Sequence, residues 1–343
     1  MMRTRRSARI GVLLHTAALV VVAGLTWVLL WPSPATALDE ITYQMSWIPT
    51  GSFAVLSAGM EKGFYKEVGI SLKMSTGRGS GDAVKKVAGG GSLFGDGDMS
   101  AVMLARVKED APVRCLFYWQ GRHPSSVFVL ESSGIKTFKD LAGKTLATTP
   151  GNSNRNYFPI TARLAGLDPN SVKWVIVDPT TMPSLLVNKK VDGVPYFTEN
   201  ASFVRPQAEA VGDKLVVIPY ADYGFDIYSY CTYTRDDVLK NSPDLVKRFL
   251  AATQRSYLWA RDNAEEAARI HVKRWPDTKY EQNLDGLRDL LGYMFGKDGK
   301  AKWTGHYDME KVQRTYSVVA ESLGLDPKVD TKQFVDDSLL PRQ

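Results

Sequence analysis

Residues 46–69 read SWIPTGSFAVLSAGMEKGFYKEVG, and the fold turns on how this stretch is divided. Phe53, Leu56, Met60 and Phe64 are spaced three, four and four apart, the apolar stripe of a helix lying on a core. Trp47 is off that stripe. It closes the strand-like run 41–47, after which the small, hydroxyl-rich turn Pro49-Thr50-Gly51-Ser52 hands over to the helix. A helix start leaves backbone N–H groups unpaired, so an aromatic beside it is placed for a ligand. The alternative is a Trp that only lids the helix.

Outward from this unit, strand and helix alternate, the pattern of an α/β architecture. Strands are expected at 41–47, 70–75, 93–96, 113–120 and 126–131, with helices over 82–87 and 100–108. A second series comes next: strands at 145–149, 172–177, 194–197 and 215–219, helices at 157–164, 183–188 and 202–211. Strand returns at 228–233, and from Pro243 the chain is mostly helical. Small polar loops follow the strands, among them Thr76-Gly77-Arg78-Gly79-Ser80-Gly81, Gly97-Asp98-Met99-Ser100 and Pro150-Gly151-Asn152-Ser153-Asn154. In parallel α/β sheets ligands bind off the carboxyl ends of strands, so two such lobes would make a cleft between them.

The chain has 343 residues, enough for one large or two ordinary domains. Of its 43 basic residues, Arg3, Arg5, Arg6 and Arg9 lie before Leu38 with no acid, leaving 39 against 37 acidic residues in the body. That near-neutral body gives no support for a nucleic-acid partner. The four arginines, the uncharged apolar stretch 10–31, Pro32, Pro34 and Ala35-Thr36-Ala37 read as an export signal over 1–37, cleaved after Ala37. The apolar stretch is also long enough to serve as an uncleaved membrane anchor.

Catalytic and cofactor signatures are missing. The glycines of TGRGSGD fall at 77, 79 and 81, which is not G-x-G-x-x-G, and no Gly-Lys-Ser/Thr phosphate loop occurs. In PGNSNR, Arg155 replaces the second glycine of a nucleophile elbow. His123, His271 and His306 have no second ligand at metal spacing, and surface or capping roles are expected for them. Cys115 and Cys231 belong to no metal or redox motif; they could pair, or remain as two buried thiols. No catalytic residue, metal or cofactor is therefore expected.

The stretch 46–90, with SGIKTFKDLAGKTLATTPG at 133–151, PDLVKRFLAATQRSYLWARDNAEEAARI at 243–270 and VDTKQFVDDSLLP at 329–341, resembles the periplasmic solute-binding proteins of ABC importers. The resemblance is to the branch that binds thiamine-pyrimidine precursors, with alkanesulfonate, taurine and nitrate binders as relatives. It implies an α/β two-lobe periplasmic binding protein fold (type II) with two hinge strands and a helical C-terminal region. Lobe one would hold 38–132 plus 225–343, and lobe two 133–224. It further implies a small-molecule ligand, a membrane permease as partner and a monomer. A related eukaryotic enzyme builds the thiamine pyrimidine on this fold, but its cysteine-rich motif has no counterpart here.

In that setting Trp47 lies at the cleft mouth, able to stack on a flat ligand while Ser52 and nearby amides hydrogen-bond it. Asp96, Ser100, Tyr118, Trp119, Asn152, Asn154, Arg155, Tyr157, Tyr196, Glu199 and Asp226 complete the candidates. Glu199 could accept hydrogen bonds from an aminopyrimidine edge or simply cap a helix. Arg155 would instead favour a sulfonate or carboxylate.

Overall fold

The computed structural model describes residues 37–121, 123–225, 227–296 and 298–342. The expected export signal, apart from Ala37, and the candidate Asp226 lie outside the described residues. Contacts divide the chain at Leu38, and the described strands and helices belong to the unit from Asp39 onward.

The chain runs β1 (Asp39–Gln44), α1 (Ala54–Glu61), α2 (Phe64–Glu67), β2 (Ile70–Ser75), α3 (Ser80–Ala88), β3 (Phe94–Asp98), α4 (Met99–Lys108), β4 (Val113–Tyr118) and β5 (Ser125–Leu130). It continues through β6 (Thr145–Thr148), α5 (Ser153–Leu164), β7 (Lys173–Ile176), α6 (Met182–Val187), β8 (Gly193–Phe197), α7 (Ala201–Ala210), β9 (Leu215–Pro219) and β10 (Tyr230–Arg235). Helices α8 (Asp236–Asn241), α9 (Pro243–Asp262), α10 (Ala264–Arg274), α11 (Tyr280–Phe295) and α12 (Met309–Leu323) complete it. The expected stripe is buried at Phe53, Leu56 and Phe64, but Phe53 sits in a 3-10 turn ahead of α1. β1 ends at Gln44, so Trp47 belongs to the connecting loop rather than to the strand.

Two five-stranded sheets result, ordered β2-β1-β3-β10-β4 and β7-β6-β8-β5-β9. Each is parallel except for one inserted antiparallel strand, β10 in the first and β5 in the second. The chain therefore crosses between lobes twice, over 119–124 and over 220–229, and each crossing delivers the antiparallel strand of the sheet it enters. This corrects the expected division at 132, which would leave β5 in lobe one. All six residues of β5 are buried, a demand met by β8 on one edge and β9 on the other.

One apolar cluster fills lobe one under α1, α9 and α11, and a smaller one fills lobe two around Phe128, Leu186 and Val204. A third runs through both lobes, joining Met99, Val102 and Tyr316 to Val127, Tyr157 and Phe158. The two lobes thus share one continuous core on the side away from the cleft. His271 is buried rather than on the surface, because it lies on the inward face of α10 with Nδ1 2.9 Å from the Ser57 hydroxyl; burial lowers its pKa to about 4.

Cys115 and Cys231 are joined in a fully buried disulfide between β4 and β10. The bond closes a loop with a sequence separation of 116 that contains the whole second sheet. Chain entropy alone assigns such a loop about 5 kcal/mol of stabilisation. Replacing both cysteines by serine should therefore lower the unfolding free energy by up to about 5 kcal/mol in denaturant titration. An unchanged midpoint would show that the crosslink does not constrain the unfolded chain.

Candidate functional site

The loops at the carboxyl ends of β1, β6 and β8 converge between the sheets and enclose a slot. From lobe one come Trp47, Thr50, Ser52 and Phe53, then Gly79 and Ser80 at the start of α3, Trp119, Tyr230 and Leu290. Lobe two supplies Asn152, Ser153 and Asn154 at the start of α5 and Tyr196, Phe197, Glu199 and Asn200 between β8 and α7. About 540 Å³ there is free of protein atoms, but only about 30 Å³ can hold the centre of a water molecule. In this arrangement the slot takes only a water or two.

The lobes meet at the rim of the slot. The Gly81 amide donates to the Gly151 carbonyl (3.2 Å), the Thr149 hydroxyl donates to the Arg78 carbonyl (3.0 Å), and the Arg78 guanidinium pairs with Asp178. A Cβ on Gly81 would stand 3.2 Å from the Gly151 Cα, so the rims touch backbone to backbone. Gly77 and Gly79 donate to the carbonyls of Trp47 (3.1 Å) and Ser46 (2.8 Å), tying this glycine loop to the Trp47 segment.

Aromatic rings form the walls. Trp47 meets Tyr196 of the other lobe edge-on at 6.0 Å, and Trp119 stacks on Tyr230 at 5.4 Å. Trp119 is fixed by donating its indole N–H to Thr232 Oγ1 (2.8 Å), and Phe197 packs against Tyr230 at 4.9 Å. Between them lie hydroxyl, amide and carboxyl groups, two of which hold unpartnered acceptor oxygens. Glu199 is 5% exposed; its Oε1 accepts from Gln120 Nε2 at 3.3 Å, and its Oε2 has no partner. Burial pushes this carboxyl up to about 7 against its own amide and Gln120, with Asp289 adding to the rise. Asn154 Oδ1 is likewise buried and unpartnered, and no lysine or arginine lines the slot among the described residues.

Of the sequence candidates, Trp47, Ser52, Trp119, Asn152, Asn154, Tyr196 and Glu199 line the slot together. Arg155 does not; its guanidinium lies over Trp174, 5.0 Å from the ring centroid, on another face of α5. Tyr118 points away from Trp119 into a cluster with Tyr228 and Tyr307, as alternation at a strand end requires. Asp96 lies beneath the slot, bonded to Ser46. Ser100 and Tyr157 lie deeper and serve Asp98. That carboxylate accepts from the Ser100 amide (2.9 Å), the Ser100 hydroxyl (2.6 Å) and the Tyr157 hydroxyl (2.6 Å) on Oδ1. On Oδ2 it takes His123 Nε2 (2.7 Å) and the Ser229 hydroxyl (3.3 Å). Burial raises its pKa, but attraction to His123 and the bonds from His123, Ser100 and Tyr157 outweigh that and hold it below the usual value. His123 is therefore a buried partner in the first crossing, not a surface residue.

Sequence reasoning did not single out Gly79, Ser80, Phe197, Tyr230 or Leu290. Gly79 and Ser80 lie in a loop already recognised as following a strand, and Phe197 and Tyr230 sit at strand ends. Leu290 carries no local signal, since only the packing of α11 brings it to the slot.

Between the ordinary carboxyl range and about pH 7, unfolded Glu199 has lost its proton while folded Glu199 keeps it. Stability therefore falls as pH rises through that window, by up to about 3 kcal/mol from this residue. Denaturant titrations at low and neutral pH should show a smaller loss for Glu199→Gln than for the wild type; equal losses would place the titrating group elsewhere.

A family model described as NMT1/THI5 like matches residues 51–267. The chain is 24% identical over 244 residues to a 4-amino-5-hydroxymethyl-2-methylpyrimidine phosphate synthase of Legionella pneumophila, covering 70% of this chain and 75% of that one. It is 22% identical over 318 residues to the riboflavin-binding protein RibY of Chloroflexus aurantiacus, covering 90% and 88%. The periplasmic nitrate-binding protein NrtA of Synechocystis PCC 6803 superposes with a TM-score of 0.70 at 15% identity, over 88% of this chain and 87% of that one, and shares the two-lobe fold.

Proposed function

The chain belongs to the NMT1/THI5-like family, and on that premise we propose that it is the substrate-binding component of an ABC importer, exported to the periplasm and acting there as a monomer that delivers its ligand to a membrane permease. Its ligand on this reading is a small, flat nitrogen heterocycle bearing amino or ring N–H donors, with a thiamine-pyrimidine precursor as the leading candidate. The observation that carries the reading is the buried Glu199 carboxyl with a free Oε2, set beside the unpartnered Asn154 Oδ1 between aromatic walls. Unpartnered buried acceptors cost free energy until a ligand supplies donors, which favours donor-bearing rings. The names of the two curated relatives, a pyrimidine phosphate synthase and a riboflavin binder, both concern flat nitrogen heterocycles.

Binding rather than synthesis is proposed because the sequence lacks a nucleophile or cofactor motif and both cysteines are joined in the lobe-one disulfide. No helix among the described residues is long and apolar enough to cross a membrane.

A sulfonate or carboxylate anion is the second reading. It is favoured by the starts of α3 and α5, whose residues Ser80 and Ser153 line the slot at the positive ends of the two helices. Glu199 separates the two readings. For an aminopyrimidine it is an acceptor, so Glu199→Gln should weaken binding about tenfold or more; for an anion the change should be neutral or favourable. Calorimetry of pyrimidines, sulfonates and carboxylates against both proteins decides, and tight sulfonate binding without a pyrimidine response would overturn the first reading.

The narrow slot requires opening for entry, and the crossings at 119–124 and 220–229 are proposed as the hinge. Solution scattering should then show a smaller radius of gyration with ligand than without. A larger radius with ligand would contradict closure.

A further inference from the structure

Asp96 is fully buried and has no ion-pair partner among the described residues, and its Oδ1 has no hydrogen bond. Its Oδ2 lies 2.6 Å from the Ser46 hydroxyl and 3.4 Å from the Ser46 amide. The same Ser46 hydroxyl lies 3.2 Å from the hydroxyl of Tyr230, whose side chain lines the slot. The Tyr230 phenol is within electrostatic reach of Asp96 beneath the slot, Glu199 inside it and Asp98.

We propose that Asp96, Ser46 and Tyr230 form a relay that reverses the hydrogen-bonding sense of the Tyr230 hydroxyl when Asp96 takes up a proton. A serine hydroxyl has one hydrogen to give. With Asp96 ionised, Ser46 gives it to Asp96, Tyr230 donates to Ser46, and the remaining Tyr230 lone pair is open to a ligand. With Asp96 protonated, its O–H donates to Ser46, Ser46 turns to donate to Tyr230, and the Tyr230 O–H is released toward the slot. One proton is added at Asp96; the hydroxyls of Ser46 and Tyr230 rotate, and neither O–H bond breaks. Asp96 thus acts as a positioning residue that the ligand does not touch.

The surroundings allow this exchange near neutral pH. Burial raises Asp96 to about 7 against the bonds from the Ser46 hydroxyl and amide, with the Tyr43 hydroxyl close by also opposing the rise. The titratable groups facing it are Tyr43 from β1, Tyr230 and Tyr233 from β10 and Tyr257 from α9. All four phenols are pushed well above their ordinary value, chiefly by burial, so they stay protonated while Asp96 titrates. Tyr233 donates to the Asp96 carbonyl (2.9 Å) and leaves the carboxyl free. Asp98, two residues along β3, is held ionised by its own donors. Glu199, across the slot, titrates in the same range and must be controlled for.

The relay is testable without a ligand; only its effect on affinity rests on the function proposed above. In full-length protein labelled with 13C-tyrosine, the Tyr230 Cζ resonance, assigned through Tyr230→Phe, is followed from about pH 5.5 to about pH 8.5. Recording it in the Glu199→Gln background removes the second carboxyl. The resonance should move with the Asp96 carboxyl midpoint and stay flat in Ser46→Ala and in Asp96→Asn. If Ser46→Ala does not fold, Asp96→Asn carries the test. A Tyr230 signal that stays still while Asp96 titrates, or that moves equally in folded Ser46→Ala, overturns the relay.

For affinity, calorimetry uses 4-amino-5-hydroxymethyl-2-methylpyrimidine. A donor-bearing ring prefers Tyr230 as acceptor, so binding should tighten about tenfold across the range in the wild type and about threefold less in Ser46→Ala. A Tyr230 resonance that follows Asp96, with no pyrimidine binding at any pH, would leave the relay standing and sink the ligand reading.

Discussion

The carboxylate of Asp98 is where four separate parts of the chain are held at one point. It closes β3 of the first sheet, receives His123 from the first crossing and Ser229 from the second, and takes the Tyr157 hydroxyl from α5 of the other lobe. A buried charge is costly unless its lone pairs are filled, and here short hydrogen bonds from Ser100, Tyr157 and His123 and a longer one from Ser229 fill them. The two lobes, their hinge and the start of α5 are therefore positioned relative to one carboxylate. The continuous apolar cluster beneath, from Met99 through Tyr157 to Tyr316, keeps that point dry and fixed.

Asp96, on the same strand, shows how much environment decides. Two residues apart in a strand, the two side chains point to one face. Asp98 is held below the usual carboxyl range by its donors, while Asp96, with one strong donor and a bare Oδ1, is raised to about 7. Glu199 repeats the under-satisfied condition inside the slot. The fully bonded carboxylate organises the lobes; of the two incompletely bonded ones, Glu199 lines the slot and Asp96 lies beneath it.

Much of this was legible in the sequence. Alternation of strand and helix is a local property, and the strands at 70–75 and 215–219 fall where their residue patterns place them. Trp47 and Ser52 reach the slot because the turn between β1 and α1 announces itself through proline, glycine and hydroxyl residues. What could not be read was the direction of neighbouring side chains. Trp119 faces the slot and Tyr118 the opposite side; Asn154 faces it while Arg155, one step around α5, stacks on Trp174. Such phases are set by partners distant in sequence. The same holds for β5, whose complete burial suits an interior strand of either sheet, and for Leu290, delivered by a helix far along the chain.

The meeting of Gly81 and Gly151 bears on time rather than on affinity. Where rims are sealed by long side chains, closing waits for rotamers to find one another and opening must undo their packing. Here the seal at this point is two bare stretches of backbone in direct approach, which can part and rejoin without rearranging any side chain of their own. On the proposed binding role, the residence time of a captured solute would depend on how often this seam and the neighbouring Arg78–Asp178 pair open, a quantity separable from the polar contacts that choose the solute. Selection and release would be set by different atoms of the same cleft.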